Sequence, residues 1–182
     1  MRQIKTLAGA VVMAGAVLLS QSAMAADISK PDTALDLSGG SAFFGHNINI
    51  SNAGNTFADR FTFNLSGASL LTTDTSSFSS SAMNGLDILS LALFDSNGLV
   101  QKGTQVLTGS TDYWTLATAP LAAGSYYLQI SGTVLSKGAG VYSGGTTVTA
   151  VPEPETYGML LGGLGLLGVV AARRQRKSGD TA

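Results

Sequence analysis

The chain has 182 residues, with ten Lys and Arg against eleven Asp and Glu, a balance that implies neither a nucleic-acid footprint nor an acidic tail. It contains no cysteine, which excludes a disulfide scaffold, a thiolate zinc site, an iron–sulfur cluster and a cysteine nucleophile. Only 12% of residues are charged, 23 are glycine and one is histidine, so the composition predicts an extracellular all-β, non-enzymatic protein.

The first element is an export signal. Arg2 and Lys5 form a basic start, Leu7 to Leu19 is a run of thirteen apolar or small residues, and Ala23-Met24-Ala25 is a small-x-small cleavage site. Thirteen residues rise about 20 Å as a helix, well short of a hydrocarbon core of about 30 Å. Residues 1–25 are therefore expected to pass the secretion translocon and be removed by signal peptidase, leaving Ala26 first. Between residues 26 and 151 four basic residues, Lys30, Arg60, Lys102 and Lys137, face eight aspartates, a net charge of −4.

Residues 26–150 carry β periodicity. In Phe57 to Leu65 the odd positions are mostly large and apolar, the period-2 signature of a half-buried strand. Leu86 to Phe94 is a denser apolar run closed by Asp95-Ser96-Asn97-Gly98, a turn signal, with Leu99-Val100-Gln101 returning as a hairpin. Tyr113 to Ala117, Gly124 to Gly132, and Val141-Tyr142 with Thr146 to Val151 read as further strands, while Thr75 to Ser81 reads as a polar loop open to glycosylation. Short strands about ten residues apart predict an antiparallel β-sandwich or jelly roll.

Alternation places Asp59 on the same face as Phe57 and Phe61, and a buried lone carboxylate must be hydrogen-bonded, paired or metal-bound. Two readings stay open: Asp59 caps the backbone amides of a loop, or it contributes to a calcium site, since that ion takes six to eight oxygens. His46 has no Gly-x-Ser-x-Gly elbow to serve, which predicts a strand-surface histidine and no triad. Tyr113, Trp114, Tyr126 and Tyr127 are candidates for a sugar-stacking platform, although neighbours on a strand point to opposite faces and core packing is the default.

The chain closes with three short segments. Val151-Pro152-Glu153-Pro154-Glu155-Thr156-Tyr157 has two φ-locked prolines and two glutamates, which predicts an extended, hydrated peptide over 151–157. Gly158 to Ala172 has no polar residue and predicts a single, short transmembrane helix of about 22 Å. Gly158, Gly162 and Gly165 share one face of it, either for close packing against a membrane partner or merely as a lowering of hydrophobicity. Arg173, Arg174, Arg176 and Lys177 form a basic stop over 173–177 that the positive-inside rule keeps cytoplasmic.

A Val151-Pro152-Glu153-Pro154 motif, a short apolar span and a basic tail, in that order over 151–177, closely resemble the PEP-CTERM sorting signal of Gram-negative bacteria. The resemblance implies a substrate of exosortase, a membrane enzyme that cleaves near the motif, with Pro152, Glu153 and Pro154 as the recognition element. It also implies a membrane-anchored intermediate that is then displayed on the cell surface or shed into an extracellular matrix, in company with exopolysaccharide and biofilm production. Phe57-x-Asp59-x-Phe61 looks like the motif of the FxDxF group of these proteins. Asp59 to Leu65, Leu91 to Gly98 and Leu121 to Gly132 look like strands of bacterial pre-peptidase C-terminal-type jelly rolls. The function expected is that of a non-enzymatic surface or matrix protein; the alternative is a carbohydrate- or calcium-binding adhesin module. No cofactor is expected beyond that calcium, and no nucleic-acid partner.

Overall fold

Large apolar residues at every second position commit a segment to a strand with one buried face. In the computed structural model, which describes residues 25–152 and 154–178, that pattern builds a two-sheet sandwich. The strands in chain order are β1 (Thr33–Ala34), β2 (Ser41–Ile48), β3 (Thr56–Leu65), β4 (Ser69–Phe78), β5 (Leu86–Asp95), β6 (Gly98–Lys102), β7 (Thr104–Leu107), β8 (Thr111–Ala117), β9 (Gly124–Val134) and β10 (Gly140–Ala150), followed by helix α1 (Pro154–Ser178). The first sheet has the order β1-β3-β9-β5-β6 and the second β2-β10-β4-β8-β7. The signal segment 1–24, with Ala23, lies outside the described residues, as do Glu153 and 179–182.

The expectation of purely antiparallel sheets needs one correction, because β1 pairs with β3 in parallel, Thr33 opposite Phe61. A parallel pair requires a crossover, and here β2 supplies it by running through the other sheet before the chain returns as β3.

The first sheet carries most of the apolar side. Phe57, Phe61, Phe63 and Leu65 of β3 point inward at odd positions, and Leu128, Ile130 and Val134 of β9 meet them. The apolar density of β5 comes from a bulge: its register to β9 shifts between Ile88 and Ser90, so Leu86 and Ile88 point inward before it and Leu91 and Leu93 after it. Two glycines make room for aromatic rings across the strands. A Cβ at Gly132 would stand 2.7 Å from the Phe57 ring and 2.3 Å from the Asp87 carbonyl oxygen. One at Gly144 would stand 2.6 Å from the Phe44 ring.

The second sheet faces this core with hydroxyls. Thr73, Thr75 and Ser77 of β4 are buried, with Thr73 Oγ1 donating to Thr146 Oγ1 at 2.8 Å and Thr75 Oγ1 to the Ser143 carbonyl at 3.1 Å. The reading of Thr75 to Ser81 as a polar loop is therefore wrong over Thr75–Phe78, which is the end of β4. Cross-strand partners satisfy these hydroxyls, so a polar strand is buried without cost in unpaired groups.

The C-terminal helix begins at Pro154 and ends at Ser178, longer at both ends than the 158–172 read from the sequence. Pro154 suits a first helical position, where its missing N–H has no partner to lose, and Glu155 in the first turn complements the positive end of the helix dipole. The expected extended peptide over 151–157 is accordingly cut back, since Glu155, Thr156 and Tyr157 are helical. No helix among the described residues is long and apolar enough to cross a membrane. Every core residue lies in the strands or the loops between them, and none in α1, so the sandwich is complete without the helix.

Candidate functional site

Asp59 is the centre of a buried polar cluster that joins four parts of the chain. It is fully buried between Phe57 and Phe61, as the alternation of β3 dictates. Its Oδ1 accepts the backbone N–H of Lys30 at 2.8 Å. Its Oδ2 accepts His46 Nδ1 of β2 at 2.7 Å and the Tyr142 hydroxyl of β10 at 2.5 Å. A carboxylate in a low-dielectric interior is tolerable only with such partners. Both oxygens are engaged by donors, which is the wrong surrounding for a cation, so the calcium reading of Asp59 does not fit. The capping reading describes the Lys30 bond and leaves out the other two.

The surroundings hold the cluster rigid. Phe57 stacks on Tyr142 with ring centroids 5.4 Å apart, and Phe44 packs on Phe61 at 4.8 Å. Lys30 Nζ donates to the Gly45 carbonyl at 3.2 Å and lies 4.8 Å from the Phe61 centroid, so the segment before β1 is fixed at both its backbone and its side chain. Burial, and then the hydrogen bond and charge of Asp59, push the Tyr142 phenol far above its ordinary range, which favours its role as a proton donor to the carboxylate.

His46 corrects the expectation of a strand-surface histidine. It lies on β2 but shares the inward face with Phe44 and Ile48, and its side chain is 19% exposed. The Asp59–His46 contact is the orienting half of a hydrolytic triad in geometry. Among the described residues no hydroxyl is bonded to the other ring nitrogen, so the nucleophilic half is missing. What the arrangement does chemically is tie the first sheet, through β3, to the second, through β2 and β10.

The proposed stacking platform is divided. Trp114 is half-buried and donates Nε1–H to the Ile88 carbonyl at 2.9 Å. Tyr126 stacks on Phe63, and Tyr127 stacks on Phe94 beneath the Arg60 guanidinium. Tyr113 is on the opposite sheet, facing out. A second buried carboxylate, Asp112, escaped the sequence reading. Its Oδ2 accepts Ser77 Oγ and the Ile88 N–H, both at 3.2 Å, while Oδ1 has no partner. Burial, and then the nearby Asp112, hold the Asp87 carboxyl above its ordinary range. Among the described residues no three His, Asp or Glu side chains converge as a metal site.

The sorting segment is built differently. Val151 is half-buried, and its N–H donates to the Ala68 carbonyl at 2.8 Å, so the motif starts while still tied to the sandwich. Pro152 is exposed, Glu153 is outside the described residues, and Pro154 opens α1. From Tyr157 to Val170 every side chain of α1 is exposed, Met159 at 82% and Leu166 at 71% among them. A Cβ added at Gly158, Gly162 or Gly165 would meet nothing within 4 Å. A helical stretch apolar all round with no partner among the described residues is suited to burial elsewhere, in lipid or against another helix. Arg173 is exposed near its end, and Arg174, Arg176 and Lys177 follow within the helix.

Residues 150–177 match the PEP-CTERM protein-sorting motif, the segment and order of parts read from the sequence. The motif marks an exported protein handled by an exosortase and held at the membrane before cleavage. No curated protein matches the chain. Among solved structures, the pre-peptidase C-terminal domain of a collagenase from Bacillus anthracis is similar at 16% identity and a TM-score of 0.34, over 68% of this chain and 96% of that one. At that level the likeness says nothing of function.

Proposed function

We propose that the protein is a non-enzymatic sandwich domain delivered to the outside of a Gram-negative cell and processed at its C-terminus by exosortase. The translocon and signal peptidase act first on residues 1–25. The cytoplasmic membrane then holds the protein briefly through α1, whose fifteen apolar residues make a short and therefore weak anchor, with the basic residues from Arg173 to Lys177 on the cytoplasmic side. Cleavage releases the sandwich to the surface or to a matrix of extracellular polysaccharide, as in a biofilm. The observation that carries this reading is the sorting motif, which starts at the end of the last strand and runs into a helix whose side chains from Tyr157 to Val170 are exposed.

The two prolines oppose extension of α1 back toward β10, since proline disfavours helical geometry in the residue before it. Replacing Pro152 and Pro154 together by alanine lets α1 grow back toward β10, because alanine is about 3 kcal/mol better than proline inside a helix. A cleft that takes an extended peptide then meets a helix. The double variant is expected to accumulate as an unprocessed membrane form with the sandwich folded and exported. Arrival at the surface with normal size and rate would show that the segment is only a tail anchor.

A further inference from the structure

The second sheet turns its other face to solvent, and one rung of that face is unlike the rest. Register aligns Phe43 of β2, Gly145 of β10, Asp74 of β4 and Thr115 of β8 across the strands. Phe43 is 89% exposed, more than any other large apolar side chain among the described residues. Its ring edge lies 3.6 Å from where a Cβ of Gly145 would stand, and Asp74 Oδ1 lies 3.9 Å from the same point. The missing side chain leaves a notch with an aromatic wall on one side and a carboxylate on the other. Hydroxyls flank it along the strands, Thr147 and Thr72 on one side and Ser143 and Ser76 on the other, with Tyr113 beside Ser76.

The charges narrow what such a notch accepts. The five strands of this sheet contain no Lys or Arg, and among the described residues no donor bonds to the Asp74 side chain. A free carboxylate asks for a ligand rich in donors. An exposed aromatic ring with a negative face asks for polarised C–H groups. Hydroxyls supply both donors and acceptors to a chain running past them. An anionic polymer is disfavoured by Asp74 itself and by the net charge of −4 over residues 26–151. A polyol with an apolar face meets all of these conditions.

We propose that this notch binds a neutral polysaccharide, one sugar ring sitting over Gly145 with its C–H face on Phe43 and a hydroxyl donating to Asp74. This rests on the reading that the sandwich is displayed among extracellular polysaccharides, and it names the surface that meets them. The test uses residues 26–152, which hold the whole core, in affinity electrophoresis through dextran, laminarin and galactomannan, with alginate as the anionic comparison. At least one neutral polymer is expected to retard the domain, and alginate to do so far less. Gly145→Val adds atoms to the notch, and its Cβ meets Phe43 and Asp74 only at ordinary contact distance. That variant and Phe43→Ala are each expected to weaken binding about tenfold or more, with melting curves unchanged. Arg60→Ala, on the other sheet, serves as the control and should bind as the parent does. The proposal is overturned if no neutral polymer retards the domain, if alginate retards it as well as they do, or if Gly145→Val binds like the parent. A change in the sedimentation of free Gly145→Val, without loss of polymer binding, would likewise overturn it and mark the face as a self-association surface. Binding by the isolated domain is independent of cleavage, so a failure here is separate from a failure of the Pro152 and Pro154 variant to be retained.

Discussion

Removing the Asp59 carboxylate strands three donors at once. In Asp59→Ala the Tyr142 hydroxyl, 1% exposed, is left with no partner, and an unsatisfied buried group costs about 1–3 kcal/mol. The Lys30 N–H and His46 Nδ1 are less buried, and water reaches them at smaller cost. Relief of the carboxylate's own desolvation offsets part of the total, and breaking a buried charged cluster by removing one member costs about 3–5 kcal/mol in general. About 3 kcal/mol is the expectation here. With a urea m-value of about 2 kcal/mol/M, the unfolding midpoint falls by about 1.5 M at unchanged slope. Tyr142→Phe alone removes one bond and costs about 1 kcal/mol. In the Asp59→Ala background the same change removes an orphaned hydroxyl and should be neutral or stabilising. The double-mutant cycle therefore predicts a coupling of at least about 1 kcal/mol. A loss below about 1 kcal/mol for Asp59→Ala, or a cycle that is additive, would refute the idea that this cluster joins the sheets.

Two further outcomes follow from the packing and the charges. Gly132→Ala drives a methyl into the Phe57 ring and the Asp87 carbonyl, so β9 and β5 must part; a loss of about 2 kcal/mol or more is expected in thermal unfolding, and a loss under about 0.5 kcal/mol would show that the sheet yields there. For Asp87 the folded-state pKa is raised, so the folded protein binds more protons than the unfolded chain in that range. Stability therefore falls as pH rises from the unfolded value of about 3.8 through the higher folded value, and the penalty is then constant up to neutrality. Asp87→Asn should melt higher than the parent at pH 7 and equally at pH 3; an equal gain at both would exclude an electrostatic cause.

Where large apolar side chains face the core, the fold was legible in the residues. Phe57 to Leu65, Leu86 to Phe94 and Gly124 to Gly132 are strands for the reason their alternation suggests. β4 was not legible as a strand at any point, because its inward positions include Thr73, Thr75 and Ser77, whose partners come from β8 and β10, which no local pattern reveals. The inward aim of Asp59 followed from parity alone. Its partners did not, since they stand 29, 13 and 83 residues away in sequence. The spacing of Phe44, His46 and Ile48 does carry the signal that His46 points inward, which the lack of a Gly-x-Ser-x-Gly elbow does not address. At the other end, two prolines suggest an extended peptide through Tyr157, whereas Pro154 occupies the first helical position, where proline is tolerated, and α1 runs on from it.

The position of β10 sets the order in which this molecule can become itself. It is the last strand in the chain, yet it lies between β2 and β4, which are not paired to each other, and it brings Tyr142 to Asp59. In a chain that leaves a channel amino end first, β2 arrives early and finds no neighbour, β4 finds only β8, and the carboxylate of β3 lacks one of its three donors. Such long-range pairing delays closure until the final segment is available. The sorting motif begins one residue after that strand. The last strand that the sandwich needs and the sorting segment are thus neighbours in the chain, so every strand of the domain precedes the helix of that segment.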